Sequence, residues 1–128
     1  MKRDDLARLL LRIAVGGLML CHGLYKLRHG VGGIASSVTA HGLPSAVAYG
    51  VYLGELLAPI AVLLGIFTRP AAAIVAVDMI VAVWLAHTGD LFHLGKAGGY
   101  ALELQALYLV GALALALLGS GRYAVRPD

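Results

Sequence analysis

Four long apolar runs, separated by short polar or glycine-rich breaks, organise this 128-residue chain. They cover about Leu6 to Leu27, Ala46 to Phe67, Ala71 to His87 and Tyr100 to Leu118. Each approaches the roughly 20 residues that a helix needs to cross the hydrocarbon of a bilayer. The pattern predicts an all-α fold, a four-transmembrane-helix bundle that occupies residues 1–128 as one domain. The third run is short for a span and is expected to tilt little or to lean on its neighbours. A tight turn at Thr68-Arg69-Pro70 separates the second and third spans, with Pro70 at the helix-initiating position. Gly119-Ser120-Gly121 ends the fourth. Between the first two spans, the semi-apolar stretch Val31 to Ala40 precedes His41-Gly42-Leu43-Pro44. A short interfacial helix stopped by Gly42 and Pro44 is expected there.

Composition sharpens the class. Charged residues make up 13% of the chain and hydrophobic ones 60%, with mean hydropathy +0.86. A soluble domain would have roughly a quarter charged residues. The net charge of +3 suits anionic lipid headgroups, and no basic run with interleaved aromatics suggests nucleic acid. Basic residues also set an orientation. Lys2, Arg3, Arg8, Arg12, Arg69, Arg122 and Arg126 fall on one side of the spans, and Lys26, Arg28 and Lys96 on the other. The positive-inside rule then places both termini in the cytoplasm. Arg8 and Arg12 are expected to snorkel at the start of the first span. The basic N-terminus resembles a signal peptide, but the apolar run continues past Cys21 with no small-x-small site, so cleavage is not expected. Cys21, the single cysteine, is expected to be a small inert core residue without a disulfide.

Glu55, Asp78 and Glu103 interrupt the apolar runs, and such acids usually mark a site or a paired network. By topology, His22 and Lys26 lie one turn apart in the outer half of the first span. Glu55 enters from the same side to a similar depth, as do Glu103 and Gln105 in the fourth span. Tyr52, three residues before Glu55, is placed to hydrogen-bond nearby, and His87 and His93 flank the same side. Lys26 with Glu55 or Glu103 is the obvious ion pair. Asp78 stands apart, toward the inner rim, where Arg69 or Arg12 is its expected partner. Alternatively it forms the inner half of a proton path that ends at Glu55. The small residues Ala46, Gly50, Gly54 and Ala58, four apart, predict close helix packing within the bundle or a homodimer face.

Several segments together resemble the DoxX family. They are His22-Gly23-Leu24-Tyr25-Lys26-Leu27, Gly42-Leu43-Pro44, and Glu55 followed by Leu64-Gly65-Ile66-Phe67-Thr68-Arg69-Pro70-Ala71-Ala72. Gly98-Gly99-Tyr100 leading to Glu103, and Gly119-Ser120-Gly121-Arg122-Tyr123, complete the match. Ser120 departs from the family, which commonly has proline there, and the departure is expected to matter little. The resemblance implies a four-helix bundle in the cytoplasmic membrane. It also implies links to a thiosulfate:quinone oxidoreductase or to thiol and oxidative-stress complexes.

Three readings of the polar cluster follow. One is a charge network that pins helix register. The second is a pocket for a quinone headgroup, in which His22 and Lys26 donate hydrogen bonds and Glu55 or Glu103 relays protons. The third, haem or metal, is disfavoured because no H-E-x-x-H or paired Glu-x-x-His spacing occurs. The leading function is a membrane subunit of a quinone-linked or thiol-related oxidoreductase assembly, in which a cofactor or a redox partner protein carries the electrons. The alternatives are a scaffold that anchors such a partner, or a small-solute or proton carrier built as a homo-oligomer.

Overall fold

The computed structural model describes residues 3–86, 92, 94, 99 and 102–128. Helix α1 runs Arg3–His29, α2 Gly32–Ala40, α3 Ser45–Leu64, α4 Thr68–Ala86 and α5 Glu103–Leu118. Three of these, α1, α3 and α4, are long and apolar enough to cross a membrane, and α5 is a shorter apolar helix. The fold is all-α. His87, His93, Asp90 and Lys96 lie outside the described residues.

The bundle is apolar outward and small inward. Leu57, Leu107 and Leu117 are exposed, while Ala58, Ala72, Ala76 and Ala112 are buried around Val62, Val75 and Leu115. Small residues inside let helix backbones approach closely, which is how helices associate where lipid is as apolar as leucine.

The helix boundaries correct the sequence reading in physical terms. Helix α3 stops at Leu64, because Gly65 turns left-handed (φ 75°, ψ 44°). The Gly65 and Ile66 N–H groups then donate back to Ala61 and Val62, closing a Schellman turn. Phe67 lies beyond the helix, at φ 48°. Thr68 already belongs to α4, so Pro70 is its third residue and not its first. Its missing N–H falls among the donors that a helix start leaves unpaired in any case.

The stripe Ala46-Gly50-Gly54-Ala58 does not form one face. Residues Ser45–Gly50 are a 3-10 turn and Leu53–Leu57 a π turn, so a four-residue spacing loses its register. Gly50 has nothing within 4 Å of where its Cβ would be, whereas Gly54 packs flat on Asp78, whose Cβ lies 2.5 Å from that point. The π turn has a local cause. Pro59 has no N–H to offer the Glu55 carbonyl one turn back. Gly23 of α1 lies directly against that carbonyl, where any Cβ would overlap it.

Both chain termini lie at the end of the bundle that carries the α3–α4 turn. The Arg122 N–H donates to Asp5 Oδ1 (3.1 Å), and the Arg69 N–H donates to Asp128 Oδ2 (3.0 Å). Arg12 does not snorkel. It is 1% exposed. Its Nε donates to the Val62 carbonyl (2.9 Å), Nη2 to Leu63 (2.9 Å), and Nη1 to Ser120 (3.2 Å) and Tyr123. The Val125 and Arg126 N–H groups take the Leu64 and Gly65 carbonyls. Every carbonyl from Ala61 to Gly65 thus has a donor, which a helix end inside an apolar bundle requires.

Ser120 also matters more than the sequence suggested. It is fully buried, and its N–H donates to Asp128 Oδ1 (3.2 Å) while its Oγ accepts from the Asp128 N–H (3.1 Å). A proline could supply neither of these bonds.

Candidate functional site

The Lys26 Nζ–Glu55 Oε1 ion pair, 2.6 Å long, is the centre of the polar interior. Helix α1 delivers Lys26 one turn beyond Gly23, and the π turn of α3 delivers Glu55 toward it. The contact of Gly23 with the Glu55 carbonyl holds these two backbones together. Glu55 is 2% exposed. Tyr52 Oη donates to the Lys26 carbonyl (3.2 Å), so it braces the backbone that carries the lysine.

Asp78 is found here and not at the inner rim. Arg12 is committed to backbone carbonyls, and Arg69 lies against Gly119 and Asp128. The Asp78 carboxyl instead neighbours those of Glu55 and the Lys26 ammonium. Its Oδ2 is buried with no hydrogen-bond partner. Two acids and one base therefore share one place. The sequence hid this because α4 approaches through Gly54, whose missing side chain leaves the room that Asp78 fills.

Two cavities meet at this cluster. The larger, about 590 Å³, is bounded by α1, α2, α3 and α4. Lys26, Glu55 and Asp78 supply its charged end, and Val31, Val38, Val51, Ile74, Val81 and Leu85 much of its apolar wall. The smaller, about 130 Å³, is lined by His22, Gln105, Tyr108, Met19, Met79 and Leu104. Lys26, Glu55 and Ala82 line both. The ion pair is thus a partition with a cavity on each side. His22 packs edge-to-face on Tyr108, with centroids 5.7 Å apart.

The expected residues are therefore divided. His22, Lys26, Glu55 and Gln105 come together, with Tyr52 just behind them. Glu103 lines neither cavity. It is exposed at the start of α5, with Oε2 2.7 Å from where a Gly99 Cβ would stand. Cys21 is exposed, not in the core. Gly23, Pro59 and Tyr108 escaped the sequence reading as contributors. Only the Pro59 position, four residues after Glu55, offered a signal for the altered backbone.

The comparisons with known proteins agree with this architecture. The DoxX family model matches residues 7–88. The chain is also 32% identical over 126 residues to the Bacillus subtilis (strain 168) protein named "Putative oxidoreductase CatD", covering 98% of this chain and 89% of that one. No solved structure matches it. The apolar helices make this an integral membrane protein, and with the family match over most of its length the chain belongs to the DoxX family.

Proposed function

We propose that this protein is the membrane subunit of a quinone-linked oxidoreductase assembly, and that the larger cavity binds the quinone. The observation that carries the reading is an apolar cavity of about 590 Å³ closed at one end by Lys26, Glu55 and Asp78. Small-molecule sites typically measure about 300–1,000 Å³, with a few polar groups in an apolar wall. A quinone headgroup and the start of its isoprenoid tail have that division of character. The Lys26 ammonium suits a quinone carbonyl, and the orphaned Asp78 Oδ2 suits a hydroxyl of the reduced form. The relative's name, an oxidoreductase, supports the same class. In this reading a partner protein supplies the electrons.

Binding is testable with a short-chain ubiquinone and the protein in nanodiscs. Trp84, the only tryptophan, lies on α4 beside the cavity-lining Leu85 and reports occupancy by quenching. Saturable quenching is expected, and Asp78→Asn should weaken it about tenfold, the equivalent of about 1.4 kcal/mol. Non-saturable quenching that ignores the substitution would sink the proposal.

The membrane arrangement belongs to the same reading. All four of α1, α3, α4 and α5 cross, both termini face the cytoplasm, and α2 lies in the outer interface over the larger cavity. The basic residues at the terminal end support this orientation. With Cys21 replaced by alanine, Ser36→Cys should react with an impermeant thiol reagent from outside intact cells, and Arg122→Cys only after lysis. Reaction of both in intact cells would refute the arrangement.

A further inference from the structure

We infer that the smaller cavity is a proton inlet to the larger one, with His22 at its mouth and the Lys26–Glu55 pair as the transfer step between them. The inference rests on the quinone-site reading and adds the route by which its protons arrive.

The geometry points to division of labour. The smaller cavity, about 130 Å³, is too small for a quinone ring with a tail. At roughly 30 Å³ each it has space for about four waters. It is also the more polar of the two, since His22, Gln105 and the Tyr108 hydroxyl offer donors and acceptors that waters need. The larger cavity is walled mainly by aliphatic side chains, which gives an isoprenoid tail a surface but gives protons no path. His22 stands one turn from Lys26 on the same face of α1, and Leu104 and Gln105, from the first turn of α5, bring the smaller cavity to the end of that helix. Beyond the partition stands Asp78, which lines the larger cavity and not the smaller and whose Oδ2 is unpartnered.

The balance is simple. A dithiol donor on a partner protein gives up two electrons and two protons and becomes a disulfide. The quinone takes two electrons and two protons and becomes the quinol. The protons released by the thiols enter water at the partner, so the quinone must take its own from another source. They pass from water to His22, through the waters of the smaller cavity to the Lys26–Glu55 pair, and from there to the quinone oxygen. In the reverse direction the same groups carry protons out.

The test needs neither the partner nor turnover. A 2-hydroxy-1,4-naphthoquinone is an acidic quinone whose visible band reports its ionisation. Bound to the protein in nanodiscs and subjected to a stopped-flow pH jump, it should protonate rapidly in the wild type. His22→Phe and Tyr108→Phe keep the ring packing but remove the proton-handling groups. Each should slow exchange on the order of 10²-fold, the scale of a single general acid–base group. Affinity for the naphthoquinone should stay within about twofold. Unchanged exchange in both variants, with binding intact, would overturn the inlet and leave the quinone site standing. Failure of the wild type to bind the naphthoquinone would overturn the quinone site, and the inlet with it.

Discussion

Arg12→Met is expected to abolish recovery of folded protein from detergent. One guanidinium satisfies four backbone carbonyls, those of Val62, Leu63, Ser120 and Tyr123. Removing it leaves the end of α3 and the segment after α5 with acceptors in an apolar setting. The Val62 carbonyl keeps the Gly65 N–H, so three acceptors lose their donor; at on the order of 1 kcal/mol or more each, the sum is about 3 kcal/mol at the least. Arg12→Lys should rescue little, because an ammonium is a point donor and cannot reach carbonyls on two elements as a planar fork does. Fluorescence-detected size exclusion and thermal melting would show it. A monodisperse Arg12→Met protein with an unchanged melting temperature would mean that water or the tail replaces those bonds.

The second large effect concerns the ion pair, and it is asymmetric. Lys26→Met leaves Glu55 and Asp78 adjacent with no cation, and breaking a buried pair from one side typically costs about 3–5 kcal/mol. Glu55→Gln should cost distinctly less, because Asp78 is already beside Lys26 and becomes its counter-charge. The double change Lys26→Met with Glu55→Gln should recover most of the stability lost by Lys26→Met. It should not recover short-chain ubiquinone binding, since the donor to the quinone carbonyl is gone. Melting temperatures of the three variants decide the first point. An equal or greater loss for Glu55→Gln would mean that Asp78 does not serve as the spare partner. Restored quinone binding in the double variant would make the cluster purely structural.

Close approach explains why these residues, and not the others, form the site. Glu55 comes to Lys26 because Gly23 admits the Glu55 carbonyl, and Asp78 comes to both because Gly54 admits Asp78. Gly54 stands in a stripe of small residues and Gly23 in the His22-to-Leu27 element, but neither context says which carboxylate or carbonyl the glycine admits. Glu103 shows the converse. Its place at the start of an apolar run suggested depth, but α5 begins at that residue, so its side chain stays at the helix end and outside both cavities.

Legible in the residues alone were the class of protein, the apolar segments and the need of Lys26 for an acid, Glu55 or Glu103; packing chose Glu55. Those follow from composition, from run length and from the cost of an unpaired charge in hydrocarbon, all of which are local or additive, while the DoxX membership rests on the motifs and the family match. Tertiary structure alone decided where Arg12 and Asp78 go. A side chain's partner depends on which backbone groups another helix leaves unpaired, and the end of α3 at Gly65 and the break before Pro59 set that. Hydropathy counts both residues as charges near a span. Only packing shows that one caps two chain segments and the other closes a cavity.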